Sequence, residues 1–507
     1  MIMSSLCYSF TGNILRSWNI KRKVNKFSYM QWNFRNISTS SKHILYTQPT
    51  ASSHPHLLKN NEITPGITSE VYNRRRHRMV DIVLKKLPVK QDCFSHLIVI
   101  PSATVVHMTE KIPYFFRQNS DFFYLCGYKE PNSVLVIYTS PDPTNPIVKT
   151  VLFIPKQSPH LLKWEGQKMD LDTVVKFLGV ETALYTNDFE KFLASFIKCN
   201  NRCVIWYDYL STPFPLVNNT MRDFITANSK NIMLESPKST LHQMRVIKSE
   251  EEADLMRKTC KMAALSMREV MKFSHPGICE SYLEAKMDFE CRLLGADHAA
   301  FPPVVGGADR ASVIHYIDNN QIINDNDLVL MDAGCEYNGY ASDMARTWPV
   351  NGKFTQPQRE VYEAVLSVQE ELIEMLATRL PLDSLMKIMC KKLGVKFQKL
   401  NIIPESVPEE KLVEAGYDLC PHHVSHYLGM DVHDTSVISR DIHLQPGMVV
   451  TVEPGVYIPS NKDVPEKYKG ICIRIEDDVL ITSDGYEVLT SDCPKKVDDI
   501  ENLFKKS

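Results

Sequence analysis

The sequence predicts an α/β domain over residues 62–240, followed by a second domain over residues 241–507 in which helices precede strands. The chain has 507 residues, which is too long for one ordinary domain. As far as Glu235, short apolar runs alternate with helical stretches, a pattern typical of α/β domains. After Asn324 the apolar residues recur with a period of two, which indicates strands.

The first domain is predicted from four short runs that are rich in β-branched and aromatic residues, as buried strands are. The composition becomes polar near Ser236, and we place the domain boundary there. No catalytic group of residues is recognisable before this boundary. The four predicted strands cover residues 97–100, 134–138, 151–154 and 203–207.

The second domain is predicted to open with two helices. Ser249 and Glu252 form a capping box, and the helix that they begin stops at the His-Pro-Gly sequence of residues 275–277. Ser281 is expected to cap a second helix, which ends at Gly295. The strands predicted after these helices cover residues 328–332, 340–348, 448–452 and 471–480.

The composition excludes some classes of function. Hydrophobic residues make up 44% of the chain and charged residues 23%, and the net charge is −2. This balance is ordinary for a globular protein and offers no bulk field for nucleic acid or an anionic membrane. No apolar run of 18 residues indicates a membrane span. The 13 cysteines form no C-x-x-C pair, which favours free thiols over a disulfide framework.

The N-terminal segment, residues 1–61, has a distinct composition. No Asp or Glu occurs before Glu62, whereas eight Lys and Arg residues do, together with many Ser, Asn and Thr. This composition is typical of a mitochondrial transit peptide, and we expect the residues that precede a cleavage point at about residues 38–52 to be removed on import. The expected location is the mitochondrial matrix, and a cytoplasmic pool is left open. The alternative is a disordered basic tail that binds an acidic partner.

Five ionisable residues each lie in or beside an apolar strand-like segment, where burial of a lone charge costs several kcal/mol. Taken singly, each has an ordinary interpretation, such as a strand-end cap or a satisfied core histidine. Four converging carboxylates would repel one another unless two divalent cations neutralised them. Oxygen ligands with one imidazole suit a hard metal such as Mn²⁺, and the absence of cysteine argues against structural zinc. The five residues are Asp332, Asp343, His426, Glu453 and Glu476.

The order of these residues and their flanking sequences closely resemble the creatinase/aminopeptidase P/methionine aminopeptidase superfamily, the "pita-bread" metallopeptidases. The resemblance covers about residues 245–495. Its motifs are FPPVVGGADRASVIHY, LVLMDAGCEYNGYASDMARTWPVNGKF, HHVSHYLGMDVHD, QPGMVVTVEPGVYI and IRIEDDVLIT. The sequence PYFFRQNSDFFYLCGYKEPNSVLVIY extends it into the first domain and looks like the aminopeptidase P subgroup, in particular its mitochondrial type 3-like members. The implied fold is an aminopeptidase P-type N-terminal α/β domain followed by an α+β pita-bread domain.

The resemblance also implies roles for single residues. It makes the five residues above the ligands of two divalent ions, with Asp343 and Glu476 bridging them; Mn²⁺ is expected, with Co²⁺ or Zn²⁺ left open. Glu453 is in addition the expected proton shuttle. Arg474 is expected to hold a ligand carboxylate or a substrate carbonyl, against the alternative of an ordinary surface arginine. Three histidines match the active-site histidines that are not ligands: His315, His422 and His433.

One position departs from the pattern of the superfamily. His423 stands where many members have glycine, and it is either an extra polar contact near the site or a tolerated surface residue. We favour the second interpretation.

The implied activity is that of an Xaa-Pro aminopeptidase, in which a dimetal-bound hydroxide attacks the bond before proline and the free amine lies against one metal. The expected partners are peptides that begin Xaa-Pro, and not nucleic acid or membrane. Two alternatives remain: a prolidase that cuts only Xaa-Pro dipeptides, and a non-catalytic binding protein with the same fold. Creatinase-like C–N hydrolysis is disfavoured, since that branch does not use this metal set. The oligomeric state stays open, a homodimer included, as do the metal in the cell and the physiological substrates.

Overall fold

The computed structural model describes residues 45–87, 95–140, 147–200, 202–210 and 213–505. Most of the predicted transit peptide, residues 1–44, lies outside these ranges. Residues 45–61, which we assigned to the lead segment, contact the first domain. Thr47 donates a backbone hydrogen bond to the carbonyl of Gln167 at 2.9 Å, and the buried amide of Gln48 donates to the carbonyl of Gly127 at 2.8 Å. The domain boundaries at residues 62 and 240 stay predictions.

All four strands predicted in the first domain are present, each within three residues of its expected bounds. Helices follow the first, third and fourth of these strands, whereas the second and third succeed one another with no helix in the described residues between them. The strands are β1 (Glu62–Thr64), β2 (Ile67–Thr68), β3 (Ser95–Pro101), β4 (His107–Thr109), β5 (Ile112–Pro113), β6 (Val134–Thr139), β7 (Val148–Ile154), β8 (Thr182–Tyr185), β9 (Cys203–Trp206) and β10 (Ile232–Glu235), and the helices are α1 (Ser69–Lys86), α2 (Ser120–Cys126), α3 (Pro159–Glu165), α4 (Leu171–Leu178), α5 (Phe189–Cys199), α6 (Pro215–Ala227) and α7 (Lys238–Arg245).

Six of these strands form a mixed sheet in the order β10-β9-β3-β6-β7-β8. In β3, Leu97 and Val99 pack into one apolar cluster, whereas Ile98 and Ile100 pack into another on the opposite face. Both faces of the sheet are therefore buried, which explains why its strands read as continuous apolar runs and not as an alternating pattern.

The second domain has the predicted order of helices followed by antiparallel strands, with further helices inserted. The helices are α8 (Glu250–Phe273), α9 (Glu280–Leu293), α10 (Gln356–Met375), α11 (Leu382–Lys399), α12 (Leu412–Leu419) and α13 (Val497–Lys505), and the strands are β11 (His298–Ala299), β12 (Val304–Gly307), β13 (Leu328–Asp332), β14 (Cys335–Tyr337), β15 (Tyr340–Ala341), β16 (Ala345–Pro349), β17 (Val449–Val452), β18 (Gly455–Ile458), β19 (Ile471–Arg474), β20 (Asp477–Ile481) and β21 (Tyr486–Val488).

The helix starts test the capping predictions. The capping box of α8 is confirmed: Ser249 and Glu252 each bond the backbone of the other. The cap predicted at Ser281 is wrong, because α9 begins at Glu280. The Glu280 carboxylate is fully buried and accepts from the backbone N–H of Gly307 at 2.9 Å and from Nε of Arg310 at 2.7 Å. These long-range bonds fix the start of the helix more strongly than a local cap would.

Two strands that the sequence pattern predicts as continuous are each broken in the middle. The run 340–348 divides into β15, which pairs with β14, and β16, which pairs with β13. The run 471–480 divides into β19, which pairs with β18, and β20, which pairs with β17. In each case the chain leaves one sheet and joins another. The apolar residues still recur with a period of two across the break, although the hydrogen-bonding partner changes.

The two predicted domains share an apolar core. One cluster joins Ile98, Phe122 and Leu125 of the first domain to Leu428 and Val449 of the second. Cysteines contribute to the cores as thiols, and every cysteine that the structure describes is free. Within the described ranges, no helix is both long enough and apolar enough to cross a membrane.

A buried ionic network also crosses the domain junction. Arg245, at the end of α7, bonds Asp121 of α2 at 2.6 Å and Asp431 at 2.7 Å, and it also bonds Asp434. Lys248 lies 3.2 Å from the same Asp434 carboxylate. Burial would raise the pKa of Asp431, but Arg245, together with a second arginine, lowers it to about 2. The network therefore fixes the segment 431–434 against the first domain.

Replacing Arg245 tests this network. We expect Arg245→Met to lower the free energy of unfolding by roughly 3–5 kcal/mol, because Asp434 would stay buried with one cation fewer. Urea denaturation of the whole chain measures the change. Arg74→Met is the matched control, since Arg74 is 61% exposed and its 3.6 Å pair with Glu70 contributes at most about 1 kcal/mol. Equal effects of the two substitutions would contradict the role given to Arg245.

Candidate metal centre

The four predicted carboxylate ligands lie at strand ends and strand breaks. Asp332 is the last residue of β13, and Glu453 directly follows β17. Asp343 lies in the break between β15 and β16, and Glu476 lies in the break between β19 and β20. At such a position, the hydrogen bonds of the sheet hold the backbone on one side of the residue only. The side chain turns away from the sheet. This arrangement places four acidic groups where two pairs of sheets meet.

These residues converge on one cavity of about 950 Å³ in the second domain. Its wall contains all nine residues that the sequence assigned to the site. It also contains apolar residues such as Phe301 and Ile317, and one residue of the first domain, Arg117. The nine predicted residues are His315, Asp332, Asp343, His422, His426, His433, Glu453, Arg474 and Glu476.

The geometry suits a metal ion best around His426. Asp343, His426 and Glu476 each offer one donor atom, and these atoms lie within 4.8 Å of one another. Donor atoms on opposite sides of one ion are about 4.2 Å apart when each bond is about 2.1 Å. Nε2 of His426 lies 3.3 Å from Asp343 and 3.7 Å from Glu453. These two separations already lie within the span of a single coordination sphere.

The protonation of His426 is set by its backbone neighbour. Nδ1 lies 3.1 Å from the carbonyl of Tyr427, so it carries the hydrogen and donates it there. Nε2 is then left to face the carboxylates, which is the orientation that a metal-ligating histidine requires. Burial lowers the pKa of His426, but Asp343 and Glu453 outweigh burial and raise it to about 9. The carboxylates therefore favour a cation at this position, whether a proton or a metal ion.

The carboxylates show the same excess of negative charge. Burial raises the pKa of Asp332 and of Glu453 to about 7, and it raises that of Glu476 well above its ordinary value. Oδ1 of Asp332 and Oε2 of Glu476 are buried and accept no hydrogen bond from the part of the chain that the structure describes. Buried polar atoms almost always have a partner, so these two oxygens fit bound cations. The donor set is thus chemically suited to divalent metal.

Arg474 is the cation that the protein itself supplies. Its guanidinium is 2% exposed and donates to Oδ2 of Asp332 and to the hydroxyl of Tyr457, both at 2.6 Å. Of the two partners that the sequence suggested, the contact in this structure is the ligand carboxylate. The run that we predicted as one strand breaks between Arg474 and Glu476, yet both side chains line the cavity.

The three other histidines line the cavity at different depths. Nε2 of His422 bonds the Tyr457 hydroxyl at 2.9 Å, and burial together with Arg474 lowers the pKa of His422 to about 4. His433 packs its ring edge against His426 with the ring centroids 4.4 Å apart. His315 is exposed at the cavity wall. His422 is therefore neutral near pH 7 and accepts or donates a hydrogen bond without adding charge.

The interpretation of His423 as a tolerated surface residue is wrong. Its side chain is 21% exposed and lines the cavity, and its Nε2 lies 3.2 Å from Oδ1 of Asp383. Its other ring nitrogen lies 2.6 Å from the carbonyl of Ser425. His423 is thus a polar group in the wall near the metal-ligating side chains.

The sequence interpretation missed two residues that support the site. The hydroxyl of Tyr457 lies between Arg474 and His422, and the buried Asp478 accepts from the backbone N–H of Asp343 at 3.0 Å. Asp478 lies two residues after Glu476, so alternation along the strand could have indicated that it is also buried. No local signal pointed to Tyr457, because tyrosine is common in apolar strands.

Comparison with known proteins agrees with this geometry. Residues 254–483 match the family model "Metallopeptidase family M24", and residues 72–206 match "Aminopeptidase P, N-terminal domain". Xaa-Pro aminopeptidase 3 of Homo sapiens is 39% identical over 91% of this chain and 90% of its own length. This chain belongs to metallopeptidase family M24. It therefore has the pita-bread fold with an aminopeptidase P N-terminal domain.

Two further members of the family are similar over nearly the whole chain. The mitochondrial intermediate cleaving peptidase 55 of Arabidopsis thaliana is 37% identical and covers 97% of this chain and 92% of its own length. The solved structure of proline aminopeptidase P II from Yersinia pestis superposes with a TM-score of 0.78 at 33% identity, covering 87% of this chain and all of that one. These comparisons favour the aminopeptidase interpretation of this M24 chain over the prolidase and non-catalytic alternatives.

Alanine substitutions test the ligand assignment. We expect Asp332→Ala, Asp343→Ala and Glu476→Ala each to lose at least one bound metal ion and nearly all peptidase activity, because each removes a donor and leaves the remaining carboxylates unbalanced. Metal analysis of the dialysed proteins measures the stoichiometry.

Two controls accompany this test. Asp441→Ala removes an exposed carboxylate close in sequence to His426 and should keep both ions and full activity. His433→Ala should keep both ions and lose turnover. Normal turnover of a ligand variant at saturating metal would sink the assignment, and metal loss from His433→Ala would move His433 into the ligand set.

Proposed function

We propose that this M24 chain releases the first residue from peptides whose second residue is proline, with two divalent ions held by Asp332, Asp343, His426, Glu453 and Glu476. The observation that carries the proposal is the complete donor set converging in one cavity. Two relatives named as Xaa-Pro aminopeptidases support the proline preference: Xaa-Pro aminopeptidase 3 of Homo sapiens, and the Xaa-Pro aminopeptidase of Escherichia coli, which is 36% identical over 77% of this chain and 89% of its own length. A solved structure of aminopeptidase P from Escherichia coli holds the inhibitor Pro-Leu.

The role of the metal can be separated from the roles of the side chains. Divalent ions at this site supply an activated water and polarise the scissile carbonyl. Asp343 and Glu476 would hold both ions, and Arg474 orients Asp332 through its 2.6 Å hydrogen bond. His426 presents Nε2 to the ions because its Nδ1 is committed to a backbone carbonyl.

Proton transfer requires a group that is protonated at one stage and ionised at another. Glu453 is the proposed shuttle, since its carboxylate lines the cavity and its Oε2 lies 3.6 Å from Nδ1 of His422. The nitrogen of proline in a peptide carries no N–H, so it must gain a proton as the bond breaks. His315 or His422 is proposed to donate a hydrogen bond to the oxyanion.

The nature of the metal is proposed from the chemistry of the donors. Four carboxylates and one imidazole favour a hard ion such as Mn²⁺. One solved structure of E. coli aminopeptidase P is described as zinc-substituted, so a related protein accepts Zn²⁺. Activity of metal-free protein with added Mn²⁺, Co²⁺ or Zn²⁺ separates these possibilities.

A matched peptide panel tests the substrate. We expect Xaa-Pro-Yaa to be cleaved, and acetylated Xaa-Pro-Yaa not to be cleaved, because the amine must reach the metal site. Xaa-Ala-Yaa should be slower by at least about tenfold, since the rigid proline ring presents the chain in one direction and the pocket near His433 gains nothing from an N–H. Release of the first residue is measured by chromatography.

The same panel excludes the alternatives. Preference for the Xaa-Pro dipeptide over the tripeptide would make the chain a prolidase. Equal rates for the proline and alanine tripeptides would make it a general aminopeptidase. The proposal requires faster cleavage of the Xaa-Pro tripeptide than of the dipeptide, and faster cleavage of the proline tripeptide than of the alanine tripeptide. It also requires Asp343→Ala to be inactive on every peptide.

The acid-free N-terminus supports a mitochondrial location, and the relative from A. thaliana, intermediate cleaving peptidase 55, is named as a mitochondrial protein. We expect N-terminal sequencing of the protein from the mitochondrial fraction to begin between about residues 38 and 52. An intact Met1 in that fraction would contradict processing. A variant with Asp in place of Arg16, Arg22 and Arg35 should lose import, and Lys85→Asp, in α1, should not.

A further inference from the structure

A second cavity, of about 260 Å³, adjoins the cavity of the metal centre. The two share Arg117 as a common wall, and two chain segments continue from one into the other. Asp297 and His298 line the second cavity, and Ala300 and Phe301 line the first; Met430 lines the second, and Asp431 lines the first. A chain that leaves the metal centre on the Arg117 side therefore meets the second cavity next.

Arg117 is held in place by hydrogen bonds, so it forms part of the wall between the two cavities and is not available as a cation for a ligand. Its Nε donates to Glu336 at 2.6 Å, and its Nη2 donates to the carbonyl of Met430 at 2.6 Å and to Asp431 at 3.2 Å. The other charges of the cavity are also engaged, since His298 pairs with Glu336 at 3.4 Å and Lys129 donates to the side chain of Asn338 at 3.0 Å. The polar groups thus stabilise the wall and leave little charge for a ligand.

What the second cavity offers is aromatic surface. Phe115 is 64% exposed and packs edge-on against His298, with the ring centroids 4.4 Å apart. Phe116 and Phe123 line the same cavity. Beyond the cavity, the hairpin of β4 and β5 continues the apolar surface with four more exposed side chains. These are Val106, Met108, Ile112 and Tyr114, each more than half exposed.

From this continuity we infer that the second cavity and the hairpin 106–115 bind the downstream part of long polypeptide substrates, several residues after the proline, through an apolar or aromatic side chain. A contiguous exposed apolar surface on a folded protein is typical of a binding site. The inference rests on the proposed function, because the direction of the chain follows from an N-terminus held at the metal centre.

A register scan tests the inference. The peptides begin Xaa-Pro and continue for about a dozen Gly and Ser residues, with one Phe moved through successive positions, and the tripeptide Xaa-Pro-Yaa is the reference. For the wild-type enzyme we expect one narrow range of Phe positions to lower KM about fivefold with kcat unchanged, the size of a single aromatic contact. Phe115→Ala should abolish this gain and leave the kinetics of the tripeptide unchanged, and Phe115→Tyr should keep it.

Phe289→Ala is the matched control, because Phe289 is 53% exposed on α9 and lines neither cavity. Loss of the gain in both alanine variants, or a KM independent of the Phe position in the wild type, would overturn the inference. Failure to cleave the tripeptide would instead refute the proposed function. Sedimentation of Phe115→Ala supplies the last outcome: a changed mass with an unchanged register preference would assign the hairpin to contacts between copies of the chain and overturn the inference.

Discussion

The structure depends on the mutual repulsion of four carboxylates around one histidine, two of them buried and two only about 15% exposed. Burial of this much like charge costs several kcal/mol per group unless cations balance it, and among the described side chains Arg474 is the cation that reaches Asp332 directly. Within the described residues, two buried oxygens, on Asp332 and Glu476, still lack a hydrogen-bond partner. The site therefore has an excess of negative charge that divalent metal ions neutralise, so metal binding and the stability of the site are coupled.

Holding these groups in place requires backbone positions that a continuous sheet does not offer. A residue inside a regular strand points directly into the core or directly out, whereas Asp343 and Glu476 lie where the chain changes sheets. Each break is supported by buried groups: Asp478 accepts from the backbone of Asp343, and Arg346 donates to the carbonyl of Glu476. These supports explain why the neighbourhood of the ligands is as polar and as buried as the ligands themselves.

The sequence predicted much of this because charged residues within apolar runs are costly and hence informative. The five donors and their order followed from that logic and from the resemblance, whereas the four strands of the first domain followed from their apolar runs and the capping box at Ser249 from its spacing to Glu252. The breaks at 342–344 and 475–476 could not be predicted, since hydrophobic alternation continues across them and a strand's partner is not encoded locally. The contacts of Tyr457 and His423 depend on residues distant in sequence, so no local pattern contained them.

The domain junction gives the first domain a part in the chemistry although none of the nine predicted site residues lies in it. Arg117 of the first domain bonds Asp431, and Arg245 links Asp431 to Asp121 of the first domain; Asp431 lies two residues before His433 in the wall of the metal cavity. The segment that positions His433 is therefore fixed from the first domain. Since Arg117 also separates the two cavities, one side chain both holds the active-site wall and limits where a substrate can leave it. A first domain that only added stability would need neither contact.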